Sequence, residues 1–178
     1  MIAGSLARRY ARALFDIGTD SDSYEQLGNE VESLARIYAA SRELAEALTN
    51  PIFPRTRRRA ILEAILERVS VSVMTRNFAL LLMDRERIPY LPTIASELRI
   101  MVDERAGRVR AQVASARPLS AEDTSRITAA LEALAHKSVV VEISHDPDLL
   151  GGITAKIGDV VYDGSIRTQL ELLRERFL

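Results

Sequence analysis

The residues that could do chemistry in this chain are few, and each has a plainer use. Gly151-Gly152-Ile153-Thr154-Ala155-Lys156 has the glycines of a phosphate loop but lacks the Gly-Lys-Ser/Thr ending that puts an ammonium and a hydroxyl beside the phosphates. The two glycines are read instead as a tight turn into a strand. His136 and His145 are the only imidazoles, sit in different predicted elements and have no acidic partner at metal-ligand spacing. Asp146, Asp148, Asp159 and Asp163 could form a cation site or a carboxylate pair, yet Asp146-Pro147, Gly158-Asp159 and Asp163-Gly164 are turn sequences. The run Arg55, Arg57, Arg58 and Arg59 is the one concentrated positive patch. It could meet an acidic partner surface or a phosphate backbone, or form a solvated face paired with Glu63 or Glu67 at helical spacing. No aromatic residue is interleaved with these arginines to stack a base. No catalytic residue, cofactor site or metal site is assigned.

The elements that must position these residues change character midway. From Ala3 to Arg105, apolar positions recur every three or four residues and are interrupted by Pro, Gly, Ser or Asn, which predicts successive amphipathic helices. Helix one carries Leu6, Ala7, Tyr10, Leu14 and Ile17. Helix two is predicted to open with a Ser23–Gln26 capping box and carries Leu27, Val31 and Leu34. A short helix around 43–49 stops at Asn50-Pro51, because the residue before proline is pushed out of the helical region. Helix four holds Ile61, Leu62, Ile65 and Leu66; helix five is expected over about 73–86; helix six carries Ile94, Leu98, Met101 and Val102. After Gly107 the period falls to two: Val109, Ala111 and Val113 alternate with Arg108, Arg110 and Gln112. Ser120 with Asp123 caps a helix striped by Ile127, Leu131 and Leu134. Strands follow at Val139, Val141 and Ile143, at Ile153, Ala155 and Ile157, and, through a Gly158-Asp159 hairpin turn, at 160–162. Ser165 is read as the cap of a last helix with Ile166, Leu170, Leu173 and Phe177. The fold class is therefore α+β: helices over 1–105, then a smaller domain over 106–178 with a β-sheet and flanking helices.

Composition narrows the function classes. With 178 residues the chain can bury its own core, and with no cysteine it has neither a disulfide framework nor thiolate chemistry, which fits a reducing compartment. Lys+Arg 24 against Asp+Glu 25 leaves a net charge of -1, so no global field draws it to nucleic acid or anionic lipid. The longest apolar run, residues 78–83, falls far short of the roughly 20 residues that span a bilayer. Arg8, Arg9 and Arg12, with no acid before Asp16, could pass for a targeting peptide, but the helical spacing of the apolar residues around them argues for a folded first helix.

Two helices carry more apolar surface than one bundle face needs. Helix one is apolar or small at Ala3, Leu6, Ala7, Tyr10, Ala11, Ala13, Leu14 and Ile17; helix five is apolar through Phe78, Ala79, Leu80, Leu81, Leu82 and Met83. Helix five is then either the bundle's central helix or partly exposed. If the surplus is surface, the two helices offer a groove to an amphipathic partner helix.

Leu6-Ala7-Arg8-Arg9-Tyr10-Ala11-Arg12-Ala13-Leu14-Phe15 near the start and Gly158-Asp159-Val160-Val161-Tyr162-Asp163-Gly164-Ser165-Ile166-Arg167 near the end, with Leu149-Leu150-Gly151-Gly152 before the latter, resemble the delta subunit of the F-type ATP synthase, the oligomycin-sensitivity-conferring protein of mitochondria. The likeness runs over essentially the whole chain. It implies a six-helix N-terminal bundle and a non-catalytic stator subunit, without cofactor or metal, that ties the catalytic head to the peripheral stalk. By resemblance, helices one and five bind the amphipathic N-terminal helix of an alpha subunit through Leu6, Tyr10, Ala13, Leu14, Asn77, Phe78 and Leu81. The C-terminal domain, shaped by Gly151, Gly152, Gly158, Asp163, Gly164 and Ser165, joins the stalk's b subunits. Nucleic acid is not an expected partner; a helical RNA-binding module using Arg55–Arg59 is the alternative. Because the likeness begins within the first residues, a bacterial form is expected, peripheral on the cytoplasmic face of the plasma (inner) membrane and held there through the complex.

Overall fold

The structure is a computed structural model and describes residues 2–146, 149, 151–158 and 160–166. The chain divides into two compact units, Met1–Val102 and Asp103–Leu178, a boundary slightly before the 105/106 division predicted from the sequence. At this junction Asp103 turns its carboxylate to Arg108 and Arg110 of the second unit. The predicted terminal helix with Leu170, Leu173 and Phe177 lies outside the described residues, as do Asp148, Leu150 and Asp159.

The first unit is helical throughout: α1 (Ile2–Asp20), α2 (Tyr24–Ala40), α3 (Arg42–Thr49), α4 (Arg55–Val69), α5 (Val73–Asp84), a 3-10 turn (Ile88–Tyr90) and α6 (Leu91–Arg105). Its core takes one stripe from each α-helix, including Ala7, Ala11 and Leu14, Leu27 and Val31, Leu48, Leu62 and Leu66, Leu82, and Ile94 and Leu98. The breaks follow local chemistry. Asn50 is extended at φ -70, ψ 120 as Pro51 requires, and its Oδ1 accepts from the Ile52 amide. Ser41 and Ser72 cap α3 and α5 by accepting from the amides of Leu44 and Thr75. Helix five ends two residues before its predicted limit, at Asp84, and Glu86 takes a left-handed conformation.

The Ser23–Gln26 capping box does not form. Asp22 is left-handed, the Ser23 amide donates to the Gly18 carbonyl at 2.7 Å, and the Ser23 hydroxyl faces that of Ser21. Gln26 therefore finds no free amide at the cap and donates to Glu30 instead.

Glu30 ties α2 to the start of α5. Its Oε2 accepts from the Ser72 hydroxyl at 2.6 Å and the Ser72 amide at 3.1 Å, next to the positive end of the α5 dipole. Burial pushes the Glu30 carboxyl up, but hydrogen bonds from Ser72, Thr75 and Gln26 together outweigh it and hold the group below its usual range. A depressed carboxylate contributes stability above its unfolded value, and the contribution is lost as pH falls through the folded one. Glu30→Gln is accordingly expected to cost about 1 kcal/mol at pH 7, after allowance for its partial exposure, and less at pH 3. Urea unfolding of both proteins at the two pH values reads the difference; an equal cost at both would assign the effect to shape alone.

The second unit contains β1 (Arg108–Ser115), α7 (Ala121–Ala135), β2 (Ser138–His145), β3 (Ile153–Ile157) and β4 (Val160–Asp163). The sheet order is β2-β1-β3-β4, with β1 parallel to β2 and the other pairs antiparallel. A parallel pair needs a crossover, which α7 supplies, and the Ser120–Asp123 capping box that starts it is complete. Ile157 pairs with Val160, so β3 and β4 form an antiparallel hairpin. Ala111, Val113, Leu131, Val139 and Ala155 form the core, joined by Ile127 and Ala135. Two expectations fail here. Leu134 is 54% exposed, because the buried stripe runs 127, 131, 135; Ile143 is 47% exposed, near the end of an edge strand and outside that core.

Candidate functional site

In the first unit, the residues expected to bind a partner separate into a layer at the surface and a layer beneath it. The Tyr10 and Phe78 rings meet edge to face, centroids 6.4 Å apart, which brings α1 against α5. Leu14 and Phe78 are buried in the bundle core at 2% and 9% exposure. These two positions lie beneath the surface formed by the others. Leu6 and Tyr10 are half-buried, and Ala13, Asn77 and Leu81 are exposed. The exposed apolar set extends further than the sequence reading assigned. Ile17, four residues after Ala13, is 48% exposed, and Val73, four before Asn77, is 74% exposed. Their helical spacing was the available signal. The result is a mostly apolar stripe on each helix, at 6, 10, 13 and 17 on α1 and at 73, 77 and 81 on α5. At its flank Arg8 pairs with Glu97 at 3.0 Å and Arg12 with Asp16 at 3.6 Å, so these arginines of helix one already have acidic partners.

In the second unit, five of the six motif residues converge and one does not. The Gly164 amide donates to the Ile153 carbonyl at 2.9 Å and the Ile166 amide to the Gly151 carbonyl at 3.0 Å. Gly152, at φ +84, lies so close to the crossing segment that a Cβ there would sit 2.3 Å from the Gly164 oxygen. A Cβ on Gly151 would meet the Ile166 side chain at 2.5 Å. Asp163 Oδ1 accepts from the amide of Ser165, itself 3% exposed. The glycine pair thus serves a backbone crossing. Gly158 is apart, at the hairpin turn with φ +57 and open space around it. Beside the crossing is an open concavity of about 560 Å³, lined by residues including Arg117, Leu119, Arg126 and Ile127. The β4 edge is apolar, with Val160, Val161 and Tyr162 all exposed.

The remaining candidates for chemistry are occupied structurally. His136 ends α7 in a left-handed conformation, and His145 Nδ1 lies 3.2 Å from the Ser115 carbonyl oxygen. Among the described residues no group of three or more His, Cys, Asp or Glu could hold a metal ion, and no helix is long and apolar enough to cross a membrane. Arg55 pairs with Asp84 at 2.8 Å, and Arg59 with Glu63 at 3.2 Å and Asp84 at 3.6 Å. Asp84, missed from sequence, is held ionised below the usual carboxylate range chiefly by its hydrogen bond from Arg55. Glu67 pairs with Arg76 instead.

The family model described as ATP synthase delta (OSCP) subunit matches residues 6–177. The chain is 43% identical over 174 residues to "ATP synthase subunit delta" of Syntrophus aciditrophicus (strain SB), covering 98% of this chain and 96% of that one. It is 40% identical over 176 residues to the protein of the same name from Myxococcus xanthus (strain DK1622), covering 98% and 97%. A chain in the cryo-EM structure of the Toxoplasma gondii mitochondrial ATP synthase hexamer superposes with a TM-score of 0.71 over 97% of both chains. At 23% identity that likeness speaks to the fold, and it carries the α+β class.

Proposed function

Because the chain belongs to the ATP synthase delta (OSCP) subunit family, whose members are structural rather than catalytic subunits, we propose that it is the stator link between catalytic head and peripheral stalk. The first unit holds the amphipathic N-terminal helix of an alpha subunit on the α1/α5 face. The second joins the b subunits of the stalk. Through the complex the protein is peripheral at the cytoplasmic face of a bacterial inner membrane.

Rotor torque would turn the catalytic head along with it unless a static linkage resists, and such a linkage needs affinity at two ends and no chemistry of its own. The observation that carries the reading is the exposed apolar double stripe, Ala13 and Ile17 on α1 with Val73 and Leu81 on α5, mounted on the Tyr10–Phe78 contact. A helix laid on such a face buries anchors at i, i+4 and i+7, each worth about 1.5–3 kcal/mol when fully covered. Elastic strain can then be borne without a bond being made or broken.

A peptide copying an alpha-subunit N-terminus, titrated against the full chain, tests this. Leu81→Asp and Ala13→Glu, both at exposed positions, are expected to weaken binding by about tenfold or more, since each places a charge in an apolar contact. Leu134→Asp, in the other unit, should leave it unchanged. Wild-type affinity in both groove variants would remove the assignment.

A further inference from the structure

Asp163-Gly164 is the one Asp-Gly pair in the chain, which has no Asn-Gly, and it stands at the backbone crossing of the second unit. Such a pair carries its own electrophile and nucleophile. The aspartate carboxyl can close onto the nitrogen of the next residue. Glycine, having no Cβ, neither shields that nitrogen nor restricts the backbone rotation that ring closure needs. Asp163 and Gly164 are both exposed, and β4 is a four-residue strand at the edge of the sheet, where local opening is least costly.

While the crossing is closed, both reacting groups are committed elsewhere. The Gly164 amide donates to the Ile153 carbonyl at 2.9 Å, and Asp163 Oδ1 accepts from the Ser165 amide at 2.8 Å. For the ring to close, the carboxyl must leave the amide of Ser165, a buried residue, and Gly164 must leave Ile153, so each step strands a polar group. Opening the crossing removes both obstacles at once.

We infer that Asp163-Gly164 is an isomerisation site, silent while the crossing is closed and reactive once it opens, whose isoaspartate product prevents reclosure. In the open state the Gly164 nitrogen bonds to Asp163 Cγ, and the amide proton leaves with the carboxyl hydroxyl as water, giving a succinimide. Water then adds to one of the two ring carbonyls. Cleavage between Cγ and nitrogen restores aspartate; cleavage between the Asp163 carbonyl carbon and nitrogen leaves the main chain running through Cβ and Cγ. One water is released and one consumed, so the net change is an isomerisation that lengthens the main chain by one carbon, about 1.5 Å. The crossing has no slack to absorb it. Asp163 is paired with Thr154 just before the insertion, and the Gly164–Ile153 and Ile166–Gly151 hydrogen bonds follow just after it. The two segments already pass so closely that Gly152 has no room for a Cβ. A second unit that has stayed open is thereby marked and kept open, whatever partner it holds.

The test follows the full chain, folded and in urea, beside a synthetic peptide of residues 160–167. Isoaspartate is counted by labelling with an isoaspartyl methyltransferase and placed by resistance to Asp-N cleavage at position 163. The peptide and the chain in urea are expected to accumulate it at similar rates, and the folded chain at least about tenfold more slowly, because only its open fraction reacts. Gly152→Ala should approach the peptide rate without urea. Asp163→Glu in urea should lose the label, since closure there would need a six-membered ring. When urea is removed, unmodified chains should regain amide protection in β3 and the isoaspartate form should not. Equal rates in the folded and urea-unfolded chains, label that persists in Asp163→Glu, a wild-type rate in Gly152→Ala that has lost β3 protection, or full β3 protection in the isoaspartate form would each overturn the site.

Discussion

Gly152→Ala is expected to unfold the second unit while leaving the helical unit intact. At φ +84 an L-residue carries a strain of about 1–2 kcal/mol, and here the new Cβ would stand 2.3 Å from the Gly164 carbonyl oxygen and 3.0 Å from the Ser165 Cα. Both obstacles are backbone, so no rotamer relieves them. The crossing must open, which breaks the Gly164–Ile153 and Ile166–Gly151 hydrogen bonds at about 1 kcal/mol each and loosens the buried Ser165. The sum, about 3–5 kcal/mol, is most of what a small domain has in reserve. Hydrogen exchange read by segment should show protection lost in β1 and β3 and kept in α2 and α6. Gly158→Ala is the internal control: its φ is also positive, at +57, but nothing lies within 4 Å of the added methyl, so about 1 kcal/mol is expected. Equal behaviour of the two variants would show that strain alone, and not the crossing, makes Gly152 necessary.

That contrast marks how far the sequence could be read. Periodicity located the helices of the first unit and the change of period after Gly107, because burial on one face is a local repeat. Ser120 and Ser23 looked alike as caps, yet only Ser120 closes a capping box; the Ser23 amide was already committed to Gly18 by the tight turn at Asp22. Leu134 and Ala135 both fit a stripe after Ile127 and Leu131, and only the position of the sheet decides for Ala135. The surplus apolar surface on α1 and α5 was visible, but not that Leu14 and Phe78 would lie beneath it while Ile17 and Val73 lay upon it. The same holds for the arginines. A run of four shows charge, whereas the pairing of Arg55 and Arg59 depends on Asp84 at the end of the next helix, and the Arg58 Nε is left without a hydrogen-bond partner.

Asp103→Ala is expected to destabilise the second unit by about 3 kcal/mol. The Asp103 side chain is 8% exposed, and its carboxylate accepts from Arg108 Nε at 2.8 Å and from Arg110 Nε and Nη2 at 2.5 and 3.4 Å. Arg108 and Arg110 are alternate residues of β1, so both point to one side of the strand and meet the same acid. Truncating the acid leaves two guanidiniums, 28% and 24% exposed in their side chains, without the anion around which they fold. Arg110 keeps Glu142 at 2.8 Å, which holds the cost to the lower end of the range for breaking a buried pair. The pairing is a constraint on packing more than a net source of stability. The triple change Asp103→Leu, Arg108→Met and Arg110→Met should therefore recover most of the loss, since apolar groups of similar volume remove all three desolvation costs together. Urea unfolding of the single and triple variants reads both effects. A loss below about 1 kcal/mol in Asp103→Ala would show these contacts to be screened surface pairs.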